Sequence, residues 1–260
     1  MIESSHTSPS AGWAARRLAE LHLAAVFLTR LPLPHLRPPL PALSAALWAF
    51  PLVGAGIGLA GGAVLMLASA LGLPGPLAAG LALLATVLLT GALHEDGLAD
   101  IADGFGGGAT RARKLEILRD SRVGSYGVVA LLLVVGLRWQ ALASLAASPL
   151  SAMLVLTAAH AIARASVPWA MVLGRPARSD GLGAAAGEAS LVIALITLAV
   201  GMVVAVGLVP ALALPMAGLM LAITAGIGWV ATRQIGGYTG DVLGAIVLLS
   251  ETAALMAATR

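Results

Sequence analysis

LSAALWAFPLVGAGIGLAGGAVLMLASAL, residues 43–71, contains no charged side chain. A helix needs about 20 apolar residues to cross the hydrocarbon core, so this stretch can span a bilayer, tilted or kinked at Pro51. Its glycines at 54, 56, 58, 61 and 62 would let a neighbouring helix approach closely. Further apolar runs follow at about 77–93, 123–143, 150–173, 189–208, 211–231 and 242–257. Pro74 to Pro76, Pro149 and Pro210 punctuate them. The expected count is seven spans. Lipid-facing backbone must satisfy its own hydrogen bonds, so each span is read as a helix, and the short alternating segments of a transmembrane barrel are missing. The expected fold class is all-α: a polytopic integral membrane helical bundle with about seven transmembrane helices.

Composition agrees. Of 260 residues, 59% are hydrophobic and only 10% charged, too few charges to coat a compact soluble surface. A net charge of +3 offers no dense basic face for nucleic acid. With no cysteine, disulfide frameworks, thiolate catalysis and thiolate metal sites are excluded.

Residues 1–42 are expected to form a cytoplasmic or interfacial segment, and 43–260 a transmembrane catalytic bundle carrying a cytoplasmic acidic loop at 94–122. Within the first segment, Trp13, Leu18, Leu21 and Val26 fit an amphipathic surface helix, with Arg16 and Arg17 toward headgroups and Pro32 and Pro34 as its stop. A buried N-terminal helix is the alternative. Lys and Arg gather at 16–37, 111–122, 175–178 and 233, whereas 72–76, 144–149 and 209–210 carry no charge. That bias puts the charged loops and the N-terminus in the cytoplasm and, with seven spans, the C-terminus outside.

The chemistry concentrates in HEDGLADIADGFGGG, residues 94–108. Asp96, Asp100 and Asp103 are four and three residues apart, so a helix would put all three carboxylates on one face. A divalent cation would offset their repulsion, and Mg²⁺ takes hard carboxylate oxygens while keeping water and phosphate ligands. A solvated acidic loop is the plain alternative, but acidic groups abutting a membrane span are usually functional. Glu95 points off that face, toward a basic partner. LRDSRVGSYG at 118–127 adds Arg119 and Arg122 as candidate phosphate ligands, Asp120 as metal ligand, arginine brace or base, and Ser125 as a hydrogen-bond donor. Arg111, Arg113 and Lys114 read equally well as a basic helix cap obeying topology. Arg164 lies inside an apolar run one turn after His160, so it must pair with an acid or phosphate or reach the headgroups. Asp180 and Asp241 are candidate partners. GGYTGD at 236–241 is a flexible turn suited to packing beside a ligand.

Carboxylate-held metal with arginines at a membrane face suits phosphoryl transfer, and no Walker-type loop is present. FLTRLPLP (27–34), HEDGLADIADGFGGG, EILRDSRVGSYG (116–127), HAIARASVPWA (160–170) and GGYTGDVLGA (236–245) occur in this order. Together they resemble the adenosylcobinamide-GDP ribazoletransferase, or cobalamin synthase, family over most of the chain. The resemblance implies Mg²⁺-dependent joining of adenosylcobinamide-GDP to α-ribazole, or its 5′-phosphate, with release of GMP in the bacterial cytoplasmic (inner) membrane. It implies metal binding and catalysis by Asp96, Asp100 and Asp103, with Asp120 or Asp241 taking the hydroxyl proton. Arg119, Arg122 and Arg164 would hold phosphates, and His94, Gly97, Ser125, Thr239 and Gly240 would contact substrate. Glu95 stands where the family often has a hydrophobic residue. Lipid is the surrounding partner, and a homo-oligomer is compatible with this reading. A CDP-alcohol phosphotransferase, an ion-coupled transporter and a membrane assembly protein are the rival readings.

Overall fold

The computed structural model describes residues 12–34, 38, 40–180, 187 and 189–260. Arg37, at the end of the basic 16–37 stretch, lies outside them. Among the described residues the chain is helical, with a single isolated β-bridge between Pro176 and Tyr238.

Helix α1, Trp13–Leu28, is followed by a short α2, Leu43–Ala46, and one 3₁₀ turn before α3, Phe50–Ala70. Pro51 sits in the first turn of α3, directly after the 3₁₀ turn, so the apolar body Leu43–Ala70 changes helical form there, where a missing N–H costs little. Then come α4, Gly75–Thr90; α5, Leu93–Gly107; and α6, Arg111–Ile117. The remaining helices are α7, Ser125–Leu145; α8, Pro149–Arg164; α9, Ser166–Leu173; α10, Leu191–Leu208; α11, Pro210–Ile235; and α12, Gly240–Ala257. Among the described residues six bodies are long and apolar enough to cross a membrane, or seven when the bent pair α4–α5 is counted as one span.

Two of those bodies are broken for legible reasons. Between α4 and α5 the axis turns by 87°. Gly91 and Ala92 are both left-handed there, with φ of 64° and 58°, a conformation unfavourable for alanine by about 1–2 kcal/mol. Between α8 and α9, Pro168 cannot donate to the carbonyl of Arg164 and crowds it, so the ladder breaks at Ala165. The 94–122 segment is therefore two helices, α5 and α6, and not a loop; α5 is part of the bundle.

Buried on nearly all sides, α8 is the central helix. Glycines of α3 lie directly on it: a Cβ at Gly58 would meet the Leu156 carbonyl oxygen at 2.6 Å, and Gly54 and Gly62 are as close to His160 and Met153. Gly56 faces open space. The expected close approach holds for Gly54, Gly58 and Gly62 against α8 and for Gly61 against Thr86 of α4. Outward faces are apolar, as lipid requires: Leu132, Val203 and Leu214 are all strongly exposed. Threonine hydroxyls inside the bundle donate one turn back, Thr157 to the Met153 carbonyl and Thr252 to that of Leu248, which satisfies these two donors in an apolar setting.

The N-terminal helix combines both expectations for it. Trp13, Leu18 and Val26 are exposed apolar residues, yet Glu20 is buried and accepts from Trp48 Nε1 and Arg17 Nη1, each at 2.7 Å. The helix ends at Leu28, before the prolines, with the Thr29 hydroxyl closing onto the Ala25 carbonyl.

Candidate active site

The site forms where α5 crosses the start of α12. Gly97 makes the crossing possible: a Cβ there would meet the Asp241 carbonyl oxygen at 2.7 Å. Across from it, a Cβ at Gly244 would be 3.8 Å from the Gly97 Cα. Two residues without side chains let the backbones touch, which brings Asp96 on α5 and Asp241 on α12 to one cavity of about 180 Å³. Its polar lining is completed by His94, Arg178 and Gly240. Phe27, Leu28, Leu43, Leu47 and Phe50 form an apolar wall, where the Phe27 and Phe50 rings stack at 5.8 Å.

Asp241 begins α12, and the preceding turn holds it. Gly236 has φ +85°, a left-handed cap that suits glycine. Thr239 caps the helix, accepting from the Val242 N–H at 3.4 Å, and donates its hydroxyl to Asp241 at 3.0 Å. The turn is itself stapled to the loop after α9: Ala177 N–H donates to the Tyr238 carbonyl and Tyr238 N–H to that of Arg175, both at 2.8 Å. Arg111 braces the same unit, donating to the carbonyls of Ile235 and Ala177 at 2.7 Å each. Arg111 thus has a structural role beyond a charged cap.

The acidic helix divides the expected triad. Asp96 is exposed and lines the cavity, Asp100 is half-buried, and Asp103 is buried. Asp96, Asp241 and Asp103 all lie within electrostatic reach of Asp100 and repel its charge. Asp103 has its own partners, however. It accepts from the backbone N–H groups of Gly124 at 2.7 Å and Gly127 at 2.9 Å, at the N-terminus of α7. Those donors have no intrahelical acceptor, and Gly124 has no side chain to cap them, so a carboxylate from another helix does so. Among the described residues no three His, Asp or Glu side chains are grouped to hold one metal ion. Asp96, Asp100 and Asp103 therefore do not converge as one group in this arrangement: Asp103 caps a helix, and Asp96 faces Asp241.

The expected phosphate ligands are also engaged elsewhere. Arg119 Nη2 donates to both carboxylate oxygens of Asp180, at 3.0 and 2.7 Å. Arg122 forks onto Asp120 with contacts of 2.6 to 3.1 Å, on the exposed surface outside the cavity. That guanidinium holds the Asp120 carboxyl down at about 2, so Asp120 stays ionised and paired above that pH. Ser125 is exposed and outside the cavity, whereas His94, Gly97 and Gly240 line it.

Arg164 pairs with Glu251, and its Nη1 lies 2.9 Å from His160 Nδ1. Neither Asp180 nor Asp241 is its partner, because Glu251 lies nearer in the interior of the bundle. Glu251 also accepts from Arg138 at 2.8 Å, and Arg138 reaches Glu95 at 2.9 Å. Glu95 therefore does take the basic partner expected of it. Two glutamates and two arginines make a charge-neutral cluster joining α5, α7, α8 and α12 immediately beside Asp96. Arg138 and Glu251 were missed in the sequence reading. Each is a charge inside an apolar run, and the demand for a partner applied to Arg164 would have found them.

A family model of cobalamin-5-phosphate synthases matches residues 20–259. An adenosylcobinamide-GDP ribazoletransferase of Bradyrhizobium diazoefficiens is 51% identical over 245 residues, covering 93% of each chain. Proteins of the same name from Mesorhizobium japonicum and Azorhizobium caulinodans are 46% and 47% identical, each over 93% of this chain and at least 93% of its own length. No solved structure matches. The family match runs through the α5–α12 crossing, the glycine turn and the buried ion cluster alike, and the chain belongs to the cobalamin-5-phosphate synthase family.

Proposed function

We propose that this protein transfers the adenosylcobinamide phosphate group from adenosylcobinamide-GDP to α-ribazole, or to its 5′-phosphate, and releases GMP. The observation that carries the reading to this site is the cavity in which Asp96 and Asp241 meet beside an apolar wall. The lipid phosphotransferase and transporter alternatives find no support in the relatives' names.

In this reading a ribose hydroxyl of the ribazole, one that the 5′-phosphate leaves free, attacks the phosphorus bound to the cobinamide arm. A new P–O bond forms, the bond to the GMP oxygen breaks, and the hydroxyl proton passes to a carboxylate. Asp241 is the better acceptor of the two candidates, because it lines the cavity while Asp120 is tied to Arg122 outside it. The Thr239 hydroxyl orients the Asp241 carboxylate. The apolar wall keeps water from competing with the ribazole hydroxyl.

The donor set suits Mg²⁺. It is all hard oxygen, and the mutual repulsion around Asp100 is relieved by a cation. Mg²⁺ is commonly held by one or two carboxylates with water and substrate phosphate, so Asp96 and Asp100 suffice. Bound there, the ion would neutralise charge on the pyrophosphate and on departing GMP. We place the protein in the bacterial cytoplasmic membrane with the cavity facing the cytoplasm, a reading supported by the Lys/Arg bias of the loops around it.

The test is purified full-length protein in detergent with Mg²⁺, α-ribazole and adenosylcobinamide-GDP, with products identified by mass spectrometry. Wild type should yield GMP and the corrinoid phosphodiester in equal amounts. Asp96→Asn should lower turnover by about a hundredfold or more while staying folded, the scale of losing one key electrostatic contact in a reacting site. Wild-type turnover in that variant would eliminate the role given to Asp96.

A further inference from the structure

The three arginines singled out by the sequence motifs spend their guanidinium groups on Asp180, Asp120 and Glu251, and none of them lines the cavity shared by Asp96 and Asp241. A different arginine does: Arg178, from the loop after α9. We propose that Arg178 is the phosphate-binding arginine of the site, holding an anionic oxygen of the phosphorylated substrate beside Asp96 and Asp241. The assignment rests on the transferase reading and supplies its missing ligand.

Three observations converge on it. The Arg178 side chain is 18% exposed, and its Nη1 is buried with no hydrogen-bond partner among the described residues. A buried guanidinium N–H without an acceptor is costly to leave unmade, and an anion in the cavity would satisfy it. Next, its neighbouring acid leaves it available. Asp180 lies 3.7 Å from the Arg178 Nε, too far for a good hydrogen bond, and gives both oxygens to Arg119. Finally, Arg178 is held in place. Main-chain bonds on either side of Pro176 fasten its loop to Tyr238, and Arg111 fastens the Ala177 carbonyl. Tyr238 leads directly into Thr239 and Asp241, so the arginine and the proton acceptor belong to one braced unit, and Asp241 feels the Arg178 charge. A planar fork so held matches the oxygens of a phosphate, which the flanking aspartates alone would repel.

Inorganic pyrophosphate is the probe. Its binding to detergent-solubilised full-length protein is measured by calorimetry at saturating Mg²⁺ in wild type, Arg178→Gln, Arg178→Lys and the surface control Arg113→Gln. In the same preparations GMP release gives kcat and KM for adenosylcobinamide-GDP. Arg178→Gln should weaken pyrophosphate by about tenfold or more and raise KM in parallel, the scale of losing a charge-assisted pair. Arg178→Lys should fall between, since it keeps the charge and loses the fork, and Arg113→Gln should match wild type. Wild-type pyrophosphate affinity and KM in a folded Arg178→Gln would overturn the assignment. If the glutamine variant does not fold, the lysine variant decides: wild-type values overturn it, and a several-fold loss supports it. Arg178-dependent pyrophosphate binding without GMP release in wild type would preserve this assignment and remove the transferase reading. GMP release with binding indifferent to Arg178 would do the reverse.

Discussion

Ion pairs in this protein come at two depths. On the surface around 111–124, Arg113 meets Glu116 and Arg122 meets Asp120, with side chains from 38% to 86% exposed. Inside the bundle, Arg138 and Arg164 share Glu251, and Arg138 also holds Glu95, with side chains 1% to 11% exposed. Both sets pair in direct contact; their surroundings differ. Exposed pairs compete with water and salt and contribute little, whereas a buried charge that loses its partner cannot be solvated at all. Depth, more than geometry, decides which charges hold the bundle together. Between the two sets lies Asp103, a buried carboxylate whose partners are backbone N–H groups and not cations.

That ranking can be broken at its deep end first. Arg138→Met leaves Glu95 and part of Glu251 without a cation, which should destabilise the protein by about 3–5 kcal/mol and release α5 from α7. Thermal unfolding in detergent and in vesicles reads this directly. A melting temperature equal to wild type would mean that water reaches the cluster and that depth has been overrated.

The middle of the series is sharper. Asp103→Ala removes the cap on α7 and should cost about 1–2 kcal/mol, as other lost N-caps do. Asp103→Asn keeps one acceptor and should cost less. Because Asp103 faces Gly124 and Gly127, the Mg²⁺ concentration for half-maximal turnover should move less in Asp103→Asn than in Asp96→Asn. An equal or larger shift would restore Asp103 to the metal site.

The smallest effect belongs to Asp120. Its folded pKa is depressed to about 2, below the ordinary carboxylate value, so its contribution is complete above the unfolded value and fades only as pH falls through roughly 4 to 2. Asp120→Asn should therefore leave the dependence of melting temperature on pH unchanged above pH 5, and turnover within about twofold of wild type. A large loss of turnover, followed as GMP release, would return Asp120 to the reaction as a base.

The same contrast explains what could be read before folding. The spans were legible because lipid demands long apolar stretches, and the proline and glycine punctuation set their ends. The 87° break after α4 was not, since Ala92 is an ordinary residue with no local signal for the left-handed conformation it adopts. The acidic helix stood out because acids beside a span are rare, and Asp96, Asp241, Gly97 and Gly240 do gather at one cavity. Arg119 and Arg122 stood out for the same reason, and there rarity misled: an arginine flanked by acids in the chain finds an acid in space as readily as a ligand. Arg178 looked like one more topology signal until its neighbours were known.

Sequence alone determined that this chain is a bundle of apolar helices with its polar chemistry at one end, because hydropathy and helical period act residue by residue. Its ordered motifs likewise carried the family resemblance. Only the tertiary structure decided which charges meet. Glu95 and Arg138 are 43 positions apart, and Arg138 and Glu251 are 113 apart. Pairing over such distances is set by how helices cross, and those crossings depend on contacts such as Gly97 against Asp241 that no local pattern encodes.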